Sequence, residues 1–354
     1  MSDFDGLMGE INSGRNGNNL GLSMGHERLN RYIGIRKRIY TLVFAPTGGG
    51  KTAFVHDSYI LNPYEDYLEK GKKTKFKVVL FSMERSKIYT IAKWTSRKIF
   101  LDKGYLIPIA KMMGWWREKL SDKEYELVKQ YKGYIDELLT VVDIIEGPIN
   151  PTGIYKYLKE YAENPLNGKT ERVSEFHSIY TPVNSGEIII PIIDHIALSK
   201  PEKGQSKKEA IDKVSEYMQY ARDFWGYTPV VVSQVNRDMS NPIYQKMGSF
   251  EPTIDSVKES GRMAEDSDTV ISIWDPRRYN TTDESYDISK FIDTSTGANY
   301  FRKIKVLKNS YGEDGIGCGM AFHGATGCYK ELFKASEMEG FDYTQIFSGK
   351  YFLK

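Results

Sequence analysis

The stretch Phe44-Ala45-Pro46-Thr47-Gly48-Gly49-Gly50-Lys51-Thr52 constrains this chain more than any other. It follows a β-prone run at 38–44 and opens a segment that reads as helix from Ala53. A strand, a Gly-rich turn, Lys-Thr and a helix together make a cradle for phosphate. The glycines leave backbone N–H groups free to face oxygens, and the helix N-terminus adds partial positive charge. Lys51 can reach β- and γ-phosphates, and the Thr52 hydroxyl can ligate Mg²⁺. Pro46, Thr47, Gly48, Gly49, Gly50, Lys51, Thr52 and Ala53 are therefore the expected nucleotide-binding residues. The usual pattern opens with glycine. Ala45 stands there instead, the smallest change available, and the three glycines that follow supply the curvature.

Around this turn the chain alternates between two periodicities. Apolar β-rich runs occur at 77–83, 140–145, 187–194, 229–234, 269–274 and 302–308. Several are continuous, as strands covered on both faces require. Helix-like stretches lie between them at 88–101, 122–139, 153–162 and 207–224. Such alternation predicts an α/β fold, a doubly wound and mostly parallel sheet with helices on both faces. A late run at 317–323 is expected to add an antiparallel edge strand.

The main domain is expected to span 25–330, interrupted by polar insertions at about 165–186 and 275–299. Residues 1–24 read as a flexible arm rich in Gly, Asn and Ser. Within it Phe4, Leu7, Met8 and Ile11 fall at i, i+3, i+4 and i+7, the stripe of a short docking helix. Residues 331–354 read as a tail with little to fix them.

Composition excludes several classes. With 40% hydrophobic and 27% charged residues the chain is ordinary globular material. Its net charge of +2 gives no global basic field, so any nucleic-acid site must be local or use backbone donors. Two cysteines, Cys318 and Cys328, are too few for a disulfide framework, and they lack further ligands at zinc spacing. No signal peptide and no apolar run near ~18 residues is present, which points to the cytoplasm and away from membranes. Trp115-Trp116 beside Met112-Met113 reads as packing or an interface, and His195 as a core histidine.

A phosphate cradle needs a metal carboxylate and a group to activate water. Asp194 ends the apolar run Ile188-Ile189-Ile190-Pro191-Ile192-Ile193, where a carboxylate would sit beside the Gly-rich turn. Glu84 ends the run Lys77-Val78-Val79-Leu80-Phe81-Ser82-Met83 and can orient a water and take its proton; an N-terminal helix residue is the competing reading. Gln234 ends Pro229-Val230-Val231-Val232-Ser233, and its amide can sense a γ-phosphate.

In sequence order, Phe81-Ser82-Met83-Glu84-Arg85-Ser86, Asp194-His195-Ile196, Ser233-Gln234-Val235-Asn236-Arg237 and the run from Lys258 to Asp268 resemble the successive motifs of DnaB-type replicative helicases. The lead-in from Gly21 to Asn30 is similar to that family as well, and the resemblance covers about 20–325. It implies a RecA-like ATPase motor using ATP and Mg²⁺, a hexameric homo-oligomer acting on single-stranded and forked DNA, and a primase and a loader as partners. Carried over by position, Lys51 and Thr52 hold phosphates and Mg²⁺, Asp194 is the metal carboxylate, Glu84 the catalytic base and Gln234 the γ-phosphate sensor. Lys258, Glu259, Ser260 and Gly261 match the DNA-contacting loop. Lys308 matches the lysine of a Lys-x-Arg pair that reaches into a neighbour's ATP site, but the arginine position is Ser310. Lys308 alone, Arg302, or Arg277 and Arg278 are the substitutes within reach. The family usually carries an N-terminal primase-recruiting domain, which a 24-residue arm is too short to be. Compact motors of this kind occur in phages, so a phage source is expected. Two other readings of the same fold stay open: a recombinase-like filament protein, and a nucleotide-binding assembly or loader subunit that does not unwind.

Overall fold

The computed structural model describes residues 3–17, 19–115, 117–175, 177–235, 251–257, 261–279, 281–283 and 285–353. Among the described residues eleven strands follow in chain order: β1 (Thr41–Ala45), β2 (Phe76–Ser82), β3 (Val142–Glu146), β4 (Gly168–Arg172), β5 (Ser178–Pro182), β6 (Ile188–Asp194), β7 (Val230–Gln234), β8 (Thr269–Trp274), β9 (Phe301–Asn309), β10 (Gly317–His323) and β11 (Cys328–Glu331). Nine of them form one sheet in the order β11-β10-β9-β8-β1-β7-β6-β2-β3. Neighbours from β8 to β3 pair in parallel, and β9, β10 and β11 extend the sheet antiparallel. The expected mostly parallel sheet and its late antiparallel strand are both present.

The core follows from the two-residue period of the strands. Val43, Val78, Leu80, Ile190, Ile192, Val230 and Ile271 point to one face, where Phe54, Ile60 and Trp94 cover them. Leu42, Phe44, Val79, Phe81, Ile189, Ile193 and Val231 point to the other, against Ile154, Leu158, Ile211, Val214 and Met218. All seven residues of β6 are buried, so its near-continuous isoleucine run reflects cover on both sides. The helix Lys207–Asp223 starts at a reciprocal cap between Ser206 and Glu209, which satisfies two otherwise orphaned N–H donors. The expected helix at 122–139 is two, Asp122–Gln130 and Lys132–Val141, with buried Tyr131 at the break.

Three segments differ from the sequence reading. The insertion at 165–186 holds a separate antiparallel ribbon, β4–β5. The insertion at 275–299 carries two 3₁₀ turns, Pro276–Tyr279 and Ile288–Phe291, and buries Tyr286, Ile288 and Phe291. The tail is not loose. Its helix Gly340–Phe347 and its 3₁₀ turn Lys350–Phe352 bury Ile346 and Phe352 against Phe291, Phe301 and Phe100. These anchors are spread over a polar, aromatic segment with no clean period, so pattern alone could not find them. At the other end, Asp3–Arg15 is helical, with Phe4, Leu7, Met8 and Ile11 all exposed. Later in the arm Leu22 and Met24 are buried, and Leu22 bridges to Ile35. No helix among the described residues is long and apolar enough to cross a membrane.

Candidate functional site

Parallel strands deliver their C-terminal ends to one edge of the sheet, and the candidate residues sit there. Ala45 pairs with Gln234, and Ser82 pairs with Asp194. The Gly-rich turn leaves β1 and enters the helix Lys51–His56, which continues through a π turn, Asp57–Leu61, into Asn62–Glu69. Gly48 and Gly50 take φ of 74° and 99°, conformations closed to most side chains. A Cβ on Gly50 would stand 2.1 Å from the Tyr329 hydroxyl. A cavity of about 610 Å³ opens beside the turn, lined in part by Lys51, Thr52, His56, Glu84, His195 and Gln234.

The side chains converge as follows. Thr52 Oγ1 donates to Asp194 Oδ1 at 3.1 Å. Burial pushes the Asp194 carboxyl up to about 6, against the opposing pull of the Thr52 hydrogen bond and of Lys51. Burial likewise lowers Lys51, opposed by Asp194 and Glu84 and reinforced by Arg278. Glu84 stands half-exposed just past β2, 3.4 Å from Arg85 and 3.9 Å from His195 Nε2. Gln234 Nε2 lies 3.3 Å from the same imidazole nitrogen. His195 thus stands between the expected base and the expected sensor.

His56 adds a contact that the sequence reading did not include. Its Nδ1 accepts from Trp94 Nε1 at 3.2 Å, which leaves the ring proton on Nε2. Nε2 faces Asp194 Oδ2 at 3.7 Å, beyond hydrogen-bond range. Burial lowers this histidine to about 4, so the pair is a neutral ring beside a carboxylate rather than an ion pair at neutral pH. The available signal was spacing, since His56 follows Thr52 by one helical turn.

The basic residues near the turn divide into two kinds. Arg302 is buried beneath it, donating to the Gly49 carbonyl at 3.2 Å and pairing with Asp275 at 3.2 Å. Its role is to hold the turn. Arg277 donates to the Gly297 carbonyl. Arg278 is exposed and donates to the Thr47 carbonyl. Lys308 lies far along β9, opposite Val270 at the start of β8, and caps a helix by donating to the Ala264 and Glu265 carbonyls at 2.9 Å each. Within one chain it is therefore remote from the turn.

Lys258, Glu259 and Ser260 lie outside the described residues, as does Trp116. Gly261 opens the helix Gly261–Asp266, with open space where a Cβ would stand. The approach to that loop is fixed by an isolated bridge between Val235, next to Gln234, and Val257. Trp115 is exposed and stacks on Tyr89 rather than packing inside. Cys318 and Cys328 are buried free thiols, and no cluster of three or more metal-ligating side chains occurs among the described residues.

Comparison with known proteins agrees with this layout. Residues 169–331 match the family described as DnaB-like helicase C terminal domain. The solved ATPase domain of a phage helicase superposes with a TM-score of 0.65 at 17% identity, covering 94% of this chain and 98% of that one. A DnaB-like replicative helicase, solved to describe its interactions with primase, superposes at 0.62 and 17% identity over 88% of this chain and 64% of that one. No curated protein sequence matches significantly. The family match thus lies on the C-terminal part of the sheet, and the superpositions give the chain as a whole the RecA-like fold of these ATPase domains.

Proposed function

We propose that this chain hydrolyses ATP to drive translocation along single-stranded DNA, and that it separates strands at a fork as a hexameric ring. The observation that carries the reading is convergence. Lys51, Thr52, Glu84, Asp194 and Gln234 come from four separate segments and line or border one opening beside a Gly-rich turn. Phosphoryl transfer is served mainly by positioned charge, and these groups supply it. Lys51 and the turn amides bind the phosphates. Glu84, half-exposed, holds a water and accepts its proton. Gln234 and His195 register the γ-phosphate. Thr52 and Asp194, two hard oxygen donors 3.1 Å apart, fit Mg²⁺, which would neutralise charge on the β- and γ-oxygens. The DNA grip falls to Lys258, Glu259, Ser260 and Gly261, through backbone amides and one positive charge. Lys308 would reach a neighbouring subunit's nucleotide. Contacts with a primase and a loader, and action in the cytoplasm, the host's if a phage encodes the chain, belong to the same proposal.

The test is ATP turnover with and without forked DNA, alongside strand separation. Lys51→Ala should abolish hydrolysis and weaken nucleotide binding. Glu84→Gln should lower turnover by ~10²-fold or more while binding is kept. Normal hydrolysis by Glu84→Gln would remove that residue from the mechanism. Ser310 in place of an arginine favours a second reading, an assembly that binds ATP without unwinding; ring formation with no phosphate release on forked DNA would select it.

A further inference from the structure

We propose that Arg278 is a catalytic residue acting within its own chain, its guanidinium stabilising the γ-phosphoryl group bound at the turn it touches. The inference rests on ATP hydrolysis at that turn.

Position comes from the sheet. β8 pairs in parallel with β1, so both strands end at the same edge. The chain leaves β8 through Asp275 into the 3₁₀ turn Pro276–Tyr279. Three contacts fix that turn. Asp275 accepts from Asn299 Nδ2 at 2.7 Å, it pairs with buried Arg302, and Tyr279 stacks on Trp274 at 4.5 Å. Arg278 is thereby aimed at the Thr47-Gly48 peptide. A Cβ on Gly48 would meet its Nη1 at 2.9 Å.

Charge argues the role. Arg302 is matched by Asp275, whereas the hydrogen bond of Arg278 among the described residues goes to the Thr47 carbonyl. A guanidinium has five N–H donors, so most of this fork stays available. Its field also reaches Lys51, where it adds to the lowering that burial begins. Two cations at one turn, with no carboxylate paired to Arg278 among the described residues, suit a polyphosphate. Ser310 offers no cation, so a neighbouring subunit would bring Lys308 alone, and a guanidinium supplied within the chain makes up the second charge. In the step itself a water oxygen bonds to the γ-phosphorus and its proton passes to Glu84. The bond from that phosphorus to the bridging oxygen breaks, and its electron pair leaves with ADP. Negative charge grows on the bridging and terminal oxygens, and an adjacent guanidinium lowers the cost.

The test uses the full chain with ATP, Mg²⁺ and DNA. Arg278→Ala and Arg278→Gln should each lower kcat by ~10²-fold or more, with ADP affinity changed less than ~3-fold. Both should lose most binding of ADP with aluminium fluoride, a mimic of the transferring phosphoryl group. Gln can keep the bond to the Thr47 carbonyl without the charge, so an Arg278→Gln protein of normal rate would show that Arg278 only braces the turn. An equal loss of ADP affinity would overturn the proposal as well. Mixing Arg278→Ala with Lys51→Ala subunits should restore nothing. Recovered turnover in the mixture would mean that Arg278 serves a neighbour. If the unaltered chain hydrolyses no ATP, the functional reading fails and takes this residue with it; if only the Arg278 variants behave normally, the reading stands and the assignment falls.

Discussion

Asp194 shows how a single buried charge ties stability to function. Its carboxyl is raised by burial from an ordinary 3.8 to about 6, so the folded state favours the protonated acid. Between those values the fold binds more protons than the unfolded chain, and stability falls as pH rises through the window. Above pH 6 the cost is fully present, up to about 3 kcal/mol. Asp194→Asn should therefore raise the metal-free melting temperature at pH 7.5, with the gain shrinking toward pH 4. It should also lose the stabilisation that Mg²⁺ with nucleotide gives the unaltered protein. A gain of equal size at both pH values would refute burial as the cause. At this scale the sequence was legible where chemistry and strand ends coincide. Lys51 and Thr52 could be named from the Gly-rich turn, and Glu84, Asp194 and Gln234 because each stands at or just past the end of an apolar run. His56 and His195 could not, because their roles depend on which ring nitrogen faces which neighbour, and that is fixed only by packing with Trp94 and Gln234. The arginines divide on the same ground. Arg302 and Arg278 both read as spare cations, and only the path of the chain after β8 and into β9 puts one beneath the turn and the other over it.

At the scale of elements, strands were easier to place than their edges. β8 spans the expected 269–274, while β3 starts two residues beyond the expected 140. The sharpest difference is the C-terminal segment. Helix Gly340–Phe347 is held by the fully buried Ile346 and by Tyr343, whose ring meets Phe291 at 5.0 Å. A single apolar anchor per turn is a weak periodic signal, yet it is enough when a neighbouring insertion presents a matching pocket. Ile346→Ala should lower unfolding free energy by about 2–4 kcal/mol, read from urea titration. The loss should come without change in nucleotide affinity, since the cluster stands apart from the cavity lining. A change below about 0.5 kcal/mol would mean that the segment contributes nothing to the fold. The β4–β5 ribbon escaped the sequence reading for another reason. Its strands are short and largely exposed, so no apolar alternation marks them.

For the molecule as a whole, the exposed stripe on Asp3–Arg15 bears on assembly. Phe4 is 66% exposed and Ile11 43%, on a helix with glycines at positions 6 and 9. Gly costs about 1 kcal/mol each in a helix interior, so this helix needs a surface to lean on. In the proposed ring that surface is another subunit. Changing Phe4 and Ile11 together to Asp should lower the mass of the assembly and leave the melting temperature of the motor within about 2 °C. An unchanged mass would assign ring closure to other contacts. The pairing of Val235 with Val257 carries a further consequence. It hangs the segment that leads toward Gly261 on the same strand end that presents Gln234. Glu251, six residues before Val257, is held in turn by Lys303 and Lys305 of β9, so a change of state at the sensor is transmitted into a segment with two fixed points rather than into slack chain.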